Sequence, residues 1–161
     1  MSKTKNISLE ELYITFFDDL FRYSFSLLRN KEDAEDVVQE IFTKHFENPE
    51  QYRGDCSIKT WLFTLTRNCC FDNMKKKKIF HSETESDIVD NSYNPVFRIE
   101  AKMVLQEALK LLTPEQNELL FLKDYAGYSY LEISELTGLS LENVKIKLFR
   151  TRKKLKDIIN E

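Results

Sequence analysis

The chain has 161 residues, 42% hydrophobic and 32% charged, with a formal net charge of −3, which suits a soluble protein of one domain or two small ones. Three glycines and three prolines supply too few turn signals for an all-β fold, so an all-α protein is expected. No apolar run is long enough to span a bilayer and the start, Met1 to Asn6, is polar, which argues against membrane insertion or a signal peptide and for a cytoplasmic protein.

Ser8-Leu9-Glu10-Glu11 has the spacing of a capping box, and the helix it opens is expected to run to about Arg29. Its apolar positions Leu12, Tyr13, Phe16, Phe17, Leu20, Phe21, Phe25 and Leu28 cover more than one side. Asn30 caps a second helix whose stripe, Ala34, Val37, Val38, Ile41, Phe42 and His45, should pack on the first. The opposite face carries Glu32, Asp33, Asp36, Gln39, Glu40 and Glu47. A metal site there would need ligands from a second element, and the flanking helices offer no matching set. A solvated face and a docking surface for a basic partner both stay open.

Asn48 to Ser57, with a proline and a glycine, reads as a loop. In the third helix the spacing puts Ile58, Trp61, Leu62, Leu65 and Cys69 on a buried stripe. Phe63, Thr64, Arg67, Phe71 and Met74 then fall on the far side, ahead of Lys75 to Lys78. Rings interleaved with cations suit a single-stranded nucleic acid, because bases stack and phosphates pair; packing of Phe63 and Phe71 on the first helix is the competing expectation. Cys56, Cys69 and Cys70 form no CxxC pair, and His45 and His81 are isolated. No zinc site or other cofactor is therefore expected, and Cys69 and Cys70 should be buried thiols.

From about Ile79 to Phe97 the chain is polar and acidic, the composition of a linker. Helical periodicity returns through Ile99, Met103, Leu105, Ala108, Leu109 and Leu112. Thr113-Pro114-Glu115-Gln116 then has a cap, a proline at the first helical position and a capping-box glutamine, opening a helix that should end near Gly127. Ser129-Tyr130-Leu131-Glu132 opens a short helix with Leu131, Ile133 and Leu136 inward, and Gly138 stops it. Ser140 caps the last helix after a tight turn, the layout of a helix-turn-helix. There Val144, Leu148, Thr151, Leu155 and Ile159 form one stripe and Asn143, Ile146, Phe149, Arg150 and Lys153 the other. Seven basic residues and no acidic one lie between Asn143 and Lys156, a composition that fits a helix in the major groove between two rows of phosphates. The charge is local. Residues 1–80 carry 13 basic and 13 acidic side chains and residues 100–161 ten of each, so DNA binding would rest on patches and be weak for the chain alone, as expected of a protein that acts after joining a larger machine.

Three segments, in this order and spacing, match one family. The chain resembles the extracytoplasmic-function (ECF) group of bacterial RNA polymerase sigma factors in the sigma-70 family. Asn30 through Phe42 is similar to the family's core-polymerase-binding helix. Thr60-Trp61-Leu62-Phe63 through Arg67-Asn68 and Asp72 is similar to its −10 promoter segment. Leu112 to Gln116, Gly127 to Ile133 and Val144-Lys145 are similar to its −35 reader.

The resemblance implies two small helical domains, 1–78 and 98–161, joined by a flexible linker, 79–97. It implies a non-enzymatic role, with no catalytic residue and no metal: binding core RNA polymerase and directing promoter-specific initiation and strand opening. Core polymerase would be met by Asp33, Asp36, Gln39 and Glu40. The melted −10 strand would be met by Phe63, Arg67, Asn68, Phe71, Lys75 and Lys76, and the double-stranded −35 element by Ser140, Asn143, Lys145, Ile146, Lys147, Arg150 and Lys153. An anti-sigma factor is a further partner that the family often has. The loop Asn48–Ser57 corresponds to the family's base-capturing loop but carries Cys56-Ser57-Ile58-Lys59 where a small-aromatic-basic run is usual. From the residues alone, a free-standing helix-turn-helix regulator with a partner-sensing N-terminal bundle is the main alternative, and a metal-dependent nuclease using the carboxylate face is a more distant one.

Overall fold

The Ser8 hydroxyl accepts from the Glu11 N–H at 3.2 Å while the Glu11 carboxylate accepts from the Ser8 N–H at 3.4 Å. This reciprocal cap starts helix α1, Leu9–Leu28, in a computed structural model that describes residues 7–80 and 99–160. The chain divides into two units, Met1–Ser86 and Asp87–Glu161. Of the expected linker, 79–97, only the first two positions are described, as the end of a helix, and the remainder lies outside the described residues. All the regular elements described are helical, and none is long and apolar enough to cross a membrane.

In the first unit α1 ends at Arg29, whose backbone turns left-handed at φ 54°. Asn30 follows at once, its side chain accepting the Asp33 N–H at 2.9 Å to start α2, Lys31–Glu47. So short a connection makes the two helices neighbours. All six residues of the expected α2 stripe, Ala34 through His45, are buried. A 3-10 turn at Pro49–Gln51 leads to α3, Ile58–Phe80, which packs on both α1 and α2. Leu20, Tyr23 and Leu27 of α1 meet this core, with the Tyr23 and Phe63 rings 5.2 Å apart. Along the flank of α1, Phe17, Phe21 and Phe25 are half-buried and stacked one turn apart, 6.3 Å between successive rings.

The second unit holds α4, Ile99–Lys110, and α5, Pro114–Leu120, whose capping box on Thr113 and Gln116 is formed as the spacing predicts. The chain then widens into a π-helical turn, Phe121–Tyr125, and reverses at Gly127, φ 76°. Helix α6, Tyr130–Thr137, begins on the Ser129–Glu132 capping box and ends at Gly138 in the left-handed region, φ 79°. Helix α7, Leu141–Ile159, starts from Ser140 two residues later. Ala108, Leu119, Leu122, Ile133, Leu136, Val144 and Leu148 form the core. Asn117 ties α5 to α4 by donating to the Leu109 carbonyl at 3.2 Å. One inward position is corrected: Leu131 is 57% exposed, because a two-turn helix resting on α7 buries one narrow strip, and Ile133 and Leu136 occupy it.

Candidate polymerase and nucleic-acid interfaces

The last helix is held so that one side is sealed and the other bare. Val144, Leu148 and Thr151 are buried, and α4, α5 and α6 all pack on α7. Asn143, Lys145, Ile146, Phe149, Arg150 and Lys153 are exposed, with Phe149 at 70% and Ile146 at 44%. Ser140 sits at the helix start, where its hydroxyl accepts the Asn143 N–H at 3.1 Å, so that oxygen is already committed to the cap. Six of the seven cations of α7 separate into two sets. Lys147 is half-buried and pairs with Glu115 at 2.7 Å, Arg152 pairs with Asp124 at 2.6 Å, and Lys154 donates to the Leu111 carbonyl at 3.2 Å. Arg150, Lys153 and Lys156 have no ion pair among the described residues. Lys147 thus lies at the flank of the outward face, turned back toward α5.

On α2, Asp36, Gln39 and Glu40 are exposed on the side opposite the buried stripe, and Asp33 is half-buried and ion-paired with Lys77 of α3. Glu40 is held by Lys44 at 2.8 Å and accepts from the Cys69 thiol at 3.4 Å. The Lys44 hydrogen bond outweighs desolvation and keeps the Glu40 carboxyl below its ordinary pKa. Burial, then the Glu40 carboxylate, pushes the Cys69 thiol up to about 11. No group of three or more His, Cys, Asp or Glu among the described residues stands where it could hold a metal ion.

Helix α3 corrects the expected assignment of its faces. Phe63, expected on the far side, is wholly buried against Tyr23, together with Leu62, Thr66 and Cys70. A ring with no accessible surface cannot stack on a base. Trp61, expected in the core, is half-buried at its edge, where its ring lies 5.1 Å from His45 and 5.4 Å from Tyr52. Trp61, Leu62 and Phe63 are consecutive, so three directions of the helix are apolar and periodicity alone does not phase it. Two neighbours, α1 and α2, decide which two directions are enclosed. Of the other expected residues, Asn68, Lys75 and Lys76 are exposed, and Arg67 lies 4.6 Å over the half-buried Phe71 ring. The exposed loop before α3 is braced by the Tyr52 hydroxyl donating to the Cys56 carbonyl, a contact that sequence spacing did not reveal.

Comparison with known proteins finds two family models that match this chain. The sequence profile of sigma-70 region 2 matches residues 12–79, and that of sigma-70 region 4 matches residues 102–155. The RNA polymerase sigma factor YlaC of Bacillus subtilis is 30% identical over 158 residues, which cover 92% of this chain and 90% of that protein. The ECF RNA polymerase sigma factor SigM of the same organism is 28% identical, with 96% of each covered. Among solved structures, the sigma factor RpoE of Bartonella quintana in complex with the anti-sigma factor NepR superposes with a TM-score of 0.76 at 21% identity, covering 94% of this chain and 96% of that one. CnrH in complex with the cytosolic domain of CnrY superposes at 0.69 and 22% identity, covering 94% and 87%.

Proposed function

The chain belongs to the ECF group of the sigma-70 family, non-enzymatic factors that bind core RNA polymerase and direct transcription initiation through regions 2 and 4, and from that premise we propose how its own residues divide the work. The single observation that carries the proposal is the outer face of α7: Asn143, Ile146, Phe149, Arg150 and Lys153 are exposed while Val144, Leu148 and Thr151 are sealed. Arg150 and Asn143 have the donors and acceptors that distinguish base pairs in the major groove. Ile146 and Phe149 offer apolar contact to thymine methyls, and Lys153 reaches phosphate. Lys145 and Ser140 border that face, and Lys147 follows from the flank if it leaves Glu115.

The exposed Asp36, Gln39 and Glu40, with Asp33 beside them, form the docking face for core polymerase, where a basic partner surface complements the carboxylates. On α3, Arg67, Asn68, Lys75 and Lys76 follow the displaced −10 strand, and Phe71 supplies the ring. Phe63 is left out of this set. An anti-sigma factor is a proposed further partner, as the superposing RpoE structure holds one. Work on core polymerase and DNA places the protein in the cytoplasm.

The test is transcription from a randomised template pool by core RNA polymerase with and without this chain, with transcript 5′ ends sequenced. The chain should confer initiation at sites sharing two spaced sequence elements. A start-site pattern identical to that of core enzyme alone would overturn the proposal.

A further inference from the structure

The π-helical turn between α5 and α6 places a lysine where no helical pattern foretold one. Lys123 is half-buried, donates to the Tyr128 carbonyl at 3.4 Å and holds its ammonium 4.4 Å from the centre of the Tyr130 ring. Lys145, from the first turns of α7, brings a second ammonium to within 5.8 Å of the same ring. Arg152 stands near the Tyr130 phenol and is matched by Asp124 at 2.6 Å, the hydrogen bond that chiefly raises its pKa. Three cations therefore stand around one phenol, and the Asp124 carboxylate is taken by Arg152. Apart from the Tyr128 carbonyl on Lys123, the two lysines share the weak attraction of a ring, and their like charges gain from an anion between or before them.

We infer that Lys123 and Lys145, steadied on Tyr130, form a clamp for one DNA backbone phosphate beside the reading helix. The inference rests on the helix-turn-helix reading of α6 and α7. In such a motif the first helix crosses the backbone while the second enters the groove, so the start of α6 faces phosphate and not base edges. The clamp fixes the register of α7 and carries no sequence preference. It assigns Lys145 to phosphate rather than base, and adds Lys123 and Tyr130 to the interface. Rings and stems do the positioning: the cation–π contacts hold both ammoniums in place before DNA arrives, which lowers the ordering cost of the contact.

The test uses holoenzyme assembled from core polymerase and the full chain, with two fluorescein-labelled duplexes: one selected from a randomised pool by the wild-type holoenzyme, and a scrambled version. Lys123→Met and Lys145→Met keep the stems and remove the charges. Each should weaken binding by about three- to tenfold on both duplexes alike and lower the slope of log affinity against log salt by about 0.9. Lys123→Arg should restore both. An unchanged salt slope, a loss confined to the selected duplex, or a loss accompanied by a lowered melting temperature of the chain would each overturn the clamp. Arg150→Ala separates this from the parent reading, since it should weaken the selected duplex only. If Arg150→Ala behaves so while Lys123→Met leaves the salt slope intact, the clamp fails and the reading helix stands. If Arg150→Ala changes neither duplex, the reading of α7 itself fails.

Discussion

Phe63 and Phe71 are two rings on one helix with opposite expected roles. Phe63 fills the space against Tyr23, so Phe63→Ala should destabilise the first unit by about 3–5 kcal/mol, read as a lower urea midpoint. Phe71 is half-buried under Arg67; Phe71→Ala should spare the fold and reduce promoter melting, read as permanganate reactivity of unpaired thymines near the −10 element. Equal stability of the two variants would contradict the packing. The thiols differ in a similar way. Cys56 is exposed, Cys70 buried and Cys69 raised to about 11 by burial and Glu40, so iodoacetamide at pH 8 should label Cys56 first and the other two only on unfolding, as mass spectrometry would show. His45 is buried beside Trp61 and desolvation lowers its pKa from 6.5. The unfolded chain therefore binds the proton more readily than the folded one, and stability present above pH 6.5 should fall as the pH drops below that value. His45→Gln should flatten this part of the pH–stability curve, and an unchanged slope would deny the histidine that role.

The helices of the second unit are delimited by local chemistry. Thr113, Ser129 and Ser140 each accept from the N–H three residues on, satisfying orphan donors at about 1 kcal/mol apiece. At Gly138 no atom lies within 4 Å of where a Cβ would stand, and φ is 79°. A side chain there meets strain and no clash. Gly138→Ala should cost about 1–2 kcal/mol, and Gly138→Asn should cost less, because asparagine tolerates the left-handed region. Thermal melts of the two variants check the order, and equal melting temperatures would show that the turn is made otherwise. The π-helical turn is a different kind of feature. It adds a residue to the ladder between α5 and α6, with the Ala126 N–H donating to the Phe121 carbonyl at 2.8 Å, and so decides where Lys123 points.

Across the whole molecule the formal charge is −3, yet each proposed surface has one sign. The carboxylates of α2 and the cations of α7 belong to separate units, so their contributions to separate partners should be independent. Reversing Asp36 and Glu40 together, to lysine, should abolish binding to core polymerase in a pull-down. Helical content by circular dichroism should stay unchanged, because both side chains are exposed. Unaltered core binding would sink the assignment of that face.

Chain order, helix starts, the stripe of α2 and the first three positions of the α7 stripe follow from sequence alone, because a capping box fixes a boundary within three residues and a helix with one apolar side has only one way to bury it; past Thr151 the support ends, so Leu155 is half-buried and Ile159 is 40% exposed. Two of the three family-like segments, the one on α2 and the one in the second unit, were legible for the same reason: each sits on a helix whose phase is unambiguous or beside a glycine that ends one. Helix α3 lacked that property, since Trp61, Leu62 and Phe63 point three ways, and only the positions of α1 and α2 chose Phe63 over Trp61 for the core. Leu131 left the core because α7 is too narrow a support to cover it. The pairing of Lys147 with Glu115, the bracing of Tyr52 on Cys56 and the gathering of Lys123, Lys145 and Arg152 around Tyr130 join residues from different helices or across a turn. Periodicity describes one helix at a time, so such contacts exist only once the elements are packed.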